Sequence, residues 1–331
     1  MVYRNKIIER TFYGPLKEKI KDFLDEMRLS GRIYNSEAYH LTAIDRATLT
    51  ENIAPDSLPR EFVEKWAAKR EYESTKTWAN RIIVIRKLGK YMQNRGMQAY
   101  VLPIDNRSKQ SLFVPHIYTD DELRRIFEQA DLIPSYTNCP NRTDVASLLF
   151  RMLYGCGLRI SEALNLTMKD IDHDNGVLSI KDSKFGASRL VPMSPQLTER
   201  CRVYSDKVRR LAFDTDPFFP APDGKHYSRR GINKTFRQIL HAAGIPHTKT
   251  GPRIHDLRHT FAVNCLKSWV REGKNINAML PVLSFYLGHK GMSGTQNYLR
   301  LTADMFPEIT VSLECLLGDI VTKGADKNEE I

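Results

Sequence analysis

Apolar positions in the first hundred residues recur at helical spacing. Between Leu16 and Met27 they fall at 16, 20, 23, 24 and 27, which is one face of a helix. A second helix is expected from about Arg60 to Arg70, after the breaker Ala54-Pro55-Asp56-Ser57-Leu58-Pro59. A third is expected from about Ser74 to Arg95, with Trp78, Ile82, Ile85, Leu88 and Met92 as its apolar stripe and Gly96 as its stop. The pattern then breaks around Pro103 and Pro115 and restarts at Thr119-Asp120-Asp121-Glu122, an N-cap with an acidic first turn ahead of Leu123, Ile126 and Phe127. Two short strand-like runs, Gly176 to Ile180 and Arg189 to Met193, flank Lys184-Phe185-Gly186 and predict a β-hairpin with Lys184 near its tip. Near the end, Phe306, Ile309, Leu313, Leu316, Leu317 and Ile320 form an apolar helical stripe too rich for a free tail.

This organisation predicts a mainly α chain with a small β-sheet, an α+β fold in two domains. The expected divisions are a helical domain over 1–102, a linker over 103–116, a second domain over 117–322 and a frayed tail over 323–331. At 331 residues each domain can bury its own core. No apolar run approaches the ~18 residues that span a bilayer. The N-terminus lacks the apolar core of a signal peptide, so a cytoplasmic protein without a membrane partner is expected.

Charge narrows the choice of partner. The chain carries 50 Lys and Arg against 39 Asp and Glu, a net charge of +11. Nucleic acid is the commonest polyanion such a balance serves, although a basic solvated surface has the same composition. The third helix and the segment after it sharpen the point, because eight basic residues lie between Lys76 and Lys109 against one acid, Asp105. Lys76, Arg81, Arg86, Lys87 and Lys90 fall largely off the apolar stripe, where they can neutralise phosphates. Arg229, Arg230 and Lys234 open a further amphipathic helix and are placed for the same contact. The five cysteines, Cys139, Cys156, Cys201, Cys265 and Cys315, are scattered without a CxxC pair and read as buried free thiols.

Four segments of the second domain carry candidate chemistry. In Gly155-Cys156-Gly157-Leu158-Arg159-Ile160-Ser161-Glu162, Arg159 and Glu162 stand three apart, so that Glu162 can hold the guanidinium while its other donors face a ligand. A dinucleotide loop is excluded because position 160 is Ile where a third Gly is needed. Asp170, Asp172 and Asp174 suggest a calcium loop, but the Gly falls one place late and position 181 is Lys. His255-Asp256-Leu257-Arg258 sets His255 and Arg258 three apart on a helix. Leu287-Gly288-His289 is followed by Tyr298, nine residues after the histidine. No carboxylate or Cys completes a zinc-ligand spacing, so no metal is expected.

In this order the four segments resemble the tyrosine recombinase, or phage integrase, family. Its pattern is Gly-Leu-Arg-x-Ser-Glu, a hairpin lysine, His-x-x-Arg, Leu-Gly-His, and a tyrosine nine residues after that histidine. The resemblance covers roughly residues 115 to 305. The hairpin departs from the family's common Gly-Lys-Gly, reading Ser183-Lys184-Phe185 and leaving Lys181 as a second claimant. The resemblance implies a core-binding domain and an integrase-type catalytic domain that together clamp double-stranded DNA at specific sites. It implies Tyr298 as the nucleophile that forms a 3′-phosphotyrosyl bond, with no cofactor, metal or ATP. Arg159 and Arg258 then grip phosphate oxygens, His289 adds a donor, and Lys184 protonates the leaving 5′-oxygen. His255 is either the proton acceptor for the tyrosine or a donor to phosphate. Integration, excision or transposition of a mobile element is the expected role, through a Holliday junction and a homotetramer on DNA, alone or with partner recombinases. Dimer resolution, a type IB topoisomerase, an inert DNA-binding repressor and a metal-dependent nuclease are the competing readings.

Overall fold

A computed structural model describes residues 7–103, 114–181, 188–248 and 251–289, together with Thr295 and Tyr298. The chain divides into two units, residues 3–113 and residues 114 onward. Lys184, the apolar stripe after Tyr298, Cys315 and the tail lie outside the described residues.

The first unit holds α1 (Lys17–Leu29), α2 (Asn35–Thr50), α3 (Arg60–Ala67) and α4 (Thr75–Gln93). Two short strands, β1 (Ser57–Leu58) and β2 (Gln98–Ala99), pair in parallel with Ser57 opposite Gln98. Leu16, Ile20, Phe23, Leu41, Ile44, Leu58, Ile85 and Leu88 form its core, each at most 2% exposed. The sequence reading omits α2, whose apolar face is interrupted by Asp45. That carboxylate is buried because it serves the backbone, accepting from the N–H groups of Tyr13 at 2.7 Å and Gly14 at 2.9 Å. Gly14 is required at this contact, since a Cβ there would meet the Asp45 carbonyl oxygen at 2.5 Å.

Helix α4 begins where expected, with the Ser74 hydroxyl accepting from the Thr77 N–H at 3.1 Å. Lys76, Lys87 and Lys90 are exposed on it and Arg86 is half-buried. Lys87 also donates to the Tyr34 hydroxyl at 3.0 Å. Arg81 corrects the expected basic face, because it is 2% exposed and turned inward. Its guanidinium pairs with Glu73 at 2.7 Å, donates to the carbonyls of Trp66 and Ala68, and lies over the Trp66 ring. With Nε, Nη1 and Nη2 all donating inside the protein, this buried cation ties α4 to the end of α3 rather than presenting itself to solvent.

The second unit contains α5 (Asp120–Leu132), α6 (Arg142–Gly155), α7 (Ile160–Leu164), α8 (Pro195–Val208), α9 (Arg229–Ala242), α10 (Ile254–Arg271) and α11 (Ile276–Leu287). A three-stranded antiparallel sheet, β3 (Ile171–Asp172), β4 (Val177–Ile180) and β5 (Arg189–Pro192), completes it. The architecture is the expected α+β one, mainly helical with small sheets. Thr119 and Glu122 close a reciprocal capping box at the start of α5. Phe150, Phe218, Phe219, Phe236 and Leu178 pack in one core, while Ala262, Leu266, Ile276, Leu283, Leu287 and Tyr298 pack in another. Helix α10 contributes Ile254 and Leu257 to the first core and Ala262, Val263 and Leu266 to the second, which holds its polar residues rigidly at the junction. The three-aspartate segment is an ordinary turn, with Asp172 accepting from the N–H groups of Asp174 and Asn175. Cys156 and Cys201 are buried thiols, both pushed up to about 12 by burial, whereas Cys139 and Cys265 are only partly buried.

Candidate active site

The site starts from a tight turn between α6 and α7. Gly157 has φ +57, and a Cβ on it would meet Phe261 of α10 at 2.5 Å, so the turn lies directly on that helix. Arg159 is the N-cap of α7 rather than a member of its helical face. Glu162 folds back to accept the Arg159 N–H at 2.9 Å and the Nη1–H at 2.7 Å. The expected Arg159–Glu162 pair therefore forms through capping geometry. The second Nη of Arg159 donates to the Gly288 carbonyl at 2.7 Å.

Arg258 enters the same floor from α10. It is 1% exposed and donates to the carbonyls of Gly157 at 2.7 Å and Leu287 at 2.6 Å. Burial, followed by the neighbouring Arg159 charge, lowers its pKa to about 10, which leaves it a cation at neutral pH. Arg258 also hydrogen-bonds the phenol of Tyr298, whose ring is 3% exposed. Burial raises the pKa of that phenol while Arg258 and Arg159 act against the rise.

Tyr298 sits among histidine rings. His289 stacks on it at 5.9 Å between centroids, and His259 lies 5.5 Å away. His255, exposed on α10, meets His259 edge to face at 4.7 Å. Burial first, then Arg258 and Arg159, lowers His289 to about 4, so its imidazole is neutral at physiological pH. Its Nδ1 is 2.9 Å from the hydroxyl of Thr295, which is fully buried. Gly288 supplies the left-handed turn, φ +65, that ends α11 just before His289.

Two residues here were missed by the sequence reading. Thr295 stands six residues after His289 and three before Tyr298. Arg189 opens β5, where the exposure pattern alternates buried, exposed, buried, exposed. It therefore points to the core side with Val191, and an arginine at a core-facing register is the signal that was available. Glu162, held between Arg189 and Arg159, has its pKa lowered: burial works against the charge, and the hydrogen bonds and charges of Arg189 and Arg159 together more than offset it.

Of the sequence candidates, Arg159, Glu162, His255, Arg258, His289 and Tyr298 converge. Lys184 lies outside the described residues. Its rival Lys181 is engaged elsewhere, donating to Asp170 at 2.5 Å. Arg229, Arg230 and Lys234 are exposed at the start of α9, capped by Ser228. They line a cleft of about 1600 Å³ with Asn233, Arg237, Arg253 and His255. That cleft joins the basic start of α9 to the edge of the histidine cluster. Among the described residues no group of His, Cys, Asp or Glu is arranged to hold a metal ion, and no helix is long and apolar enough to cross a membrane.

Residues 116–305 match the phage integrase family. The integrase/recombinase y4rB of Sinorhizobium fredii is 31% identical over 82% of this chain and 88% of that protein. Tyrosine recombinase XerD of Vibrio cholerae is 26% identical over 89% of this chain and 96% of its own length. Among solved structures, the Tn1549 transposon integrase in complex with transposon right-end DNA matches with a TM-score of 0.59. It is 18% identical and covers 85% of this chain and 94% of that one. XerH bound to a palindromic difH substrate matches with a TM-score of 0.59 at 20% identity, over 80% of this chain and 74% of that one. The chain belongs to the phage integrase family and is a site-specific recombinase of the tyrosine class.

Proposed function

We propose that the protein binds double-stranded DNA at specific sites and exchanges strands by transesterification through Tyr298. The stacking of His289 on the Tyr298 ring, with Arg258 at the phenol and the Arg159 charge acting on it, supports this reading most directly. The Tyr298 oxygen attacks phosphorus, the bond to the 5′-oxygen breaks, and a 3′-phosphotyrosyl ester keeps the energy of the linkage for rejoining. Neither metal nor ATP is needed. Arg159 and Arg258 stabilise charge growing on the non-bridging oxygens, and neutral His289 donates a further hydrogen bond. Lys184 protonates the leaving oxygen. His255, at the open edge of the cluster, takes the tyrosine proton or adds a donor to the phosphate.

Arg229, Arg230 and Lys234, with Lys76, Arg86, Lys87 and Lys90 of the first unit, contact the DNA backbone, so that the first unit acts as the core-binding domain. Integration, excision or transposition of a mobile element is the role proposed, by a homotetramer in the synaptic complex. Similarity to an integrase/recombinase over most of both chains supports that role. Sequencing DNA trapped covalently on the protein tests it. Wild type is expected to yield adducts clustered at element ends in the presence of EDTA, and Tyr298→Phe none, with DNA binding retained. Adducts that persist in Tyr298→Phe would sink the assignment, and relaxation of any plasmid regardless of site would point to a topoisomerase.

A further inference from the structure

The proposed chemistry leaves Arg189 unused, although this residue is buried beside the reacting groups. Its Nη1 and Nη2 donate to the two oxygens of Glu162 at 3.0 and 2.9 Å, and its Nε donates to the Tyr286 carbonyl at 2.5 Å. Arg159 reaches the same carboxylate at 2.7 Å, and Arg258 lies 3.8 Å from it. Gly288 packs against both Arg189 and Arg159, since a Cβ there would stand 2.9 Å from Arg189 Nη1 and 3.5 Å from Arg159 Nη1.

Three guanidiniums thus share one carboxylate, which leaves two formal positive charges on the group. Without Arg189, Glu162 would be balanced by Arg159 and Arg258 alone, and the cations facing a substrate would keep half that surplus. Charges this buried are poorly screened by salt, so the difference is felt at the reacting phosphorus.

We infer that Arg189 is a positioning residue for strand cleavage: it serves as the counter-ion of Glu162 and so keeps the charge of Arg159 and Arg258 available to the scissile phosphate. The inference rests on the recombinase reading. It predicts an effect that depends on the charge of the substrate. In the cleavage step the Tyr298 oxygen–phosphorus bond forms and the phosphorus–O5′ bond breaks; Tyr298 gives up its phenol proton and Lys184 supplies one to the 5′-oxygen, so that protons balance overall. A methylphosphonate at the scissile position undergoes the same displacement with one negative charge fewer.

The test is single-turnover release of the 5′-hydroxyl strand from nicked duplexes carrying a trapped site, with either a phosphodiester or a methylphosphonate at the cleavage position. Arg189→Gln is expected to slow the phosphodiester by ~10²-fold and the methylphosphonate by less than ~10-fold. Arg189→Lys, which keeps the charge, is expected to retain the wild-type ratio between the two substrates, and it decides the matter if Arg189→Gln does not fold. Equal slowing of both substrates in Arg189→Gln, or loss of the ratio in Arg189→Lys, would assign the residue to shape alone and overturn the inference. A wild-type protein that cleaves neither duplex would instead overturn the recombinase reading, and this inference with it.

Discussion

Glu162 and Arg189 meet in a two-point ion pair, 27 residues apart in sequence, with both side chains 3% exposed. Such a pair contributes little net stability relative to well-packed apolar residues, but breaking one half strands a buried charge. Glu162→Gln leaves Arg189 and Arg159 without their carboxylate, and its amide turns N–H groups toward guanidinium donors. A loss of roughly 3 kcal/mol or more is expected. Thermal unfolding followed by circular dichroism should show the second unit melting about 6–12 °C lower. A variant melting within 1–2 °C of wild type would mean that water, not Glu162, satisfies the arginines.

Thr295 holds His289 Nδ1 at 2.9 Å. A neutral imidazole carries one N–H, so a threonine hydroxyl donating to Nδ1 leaves Nε2–H as the donor aimed at substrate. Thr295→Val keeps the shape and removes that choice of tautomer. Cleavage is expected to slow about 10-fold, the worth of one hydrogen bond, with DNA affinity unchanged. Unaltered single-turnover rates would show that His289 is oriented by stacking on Tyr298 alone.

Part of the acid side of the stability profile belongs to the half-buried His259 and His289. Burial, then His255 and Arg258, lowers His259 to about 3 from an ordinary 6.5, and His289 lies at about 4. Both are neutral in the folded protein where the unfolded chain binds protons. Stability is therefore complete above about pH 6.5 and falls as pH drops, down to about 4 for His289 and about 3 for His259. His259→Phe removes one of these protons. Near pH 5 it should reduce the dependence of unfolding free energy on pH by about 1.4 kcal/mol per pH unit. Parallel profiles for variant and wild type would place His259 in a solvated setting.

What the sequence made legible was local. The Thr119–Glu122 cap and the Arg159–Glu162 pair each lie within three residues, and the chemistry of the side chains dictates the contact. Tyr298 and His289 came from the nine-residue spacing of the family pattern. Arg189 was missed because its partners, Glu162 and Tyr286, are 27 and 97 residues away. Helix α2 was missed because buried Asp45 reads as a break in the apolar face until the N–H groups of Tyr13 and Gly14 are seen to need it.

Arg81 shows the same limit from the other side, since density of basic residues cannot say which of them is paired. Its guanidinium and the Glu73 carboxylate are 3% and 7% exposed, whereas Lys76 and Lys90 of the same helix face solvent. Arg81→Met should cost roughly 3 kcal/mol of stability by stranding Glu73. It should leave the salt dependence of DNA binding as it is. Lys76→Ala and Lys90→Ala should do the reverse. Each is expected to lower the slope of log affinity against log salt by about 0.9, with stability changed by no more than about 0.5 kcal/mol. Salt titrations of binding to the trapped site, beside melts of the free protein, separate the two behaviours. If Arg81→Met lowers the slope as the lysine variants do, the Glu73 pair opens on DNA and the residue rejoins the basic face.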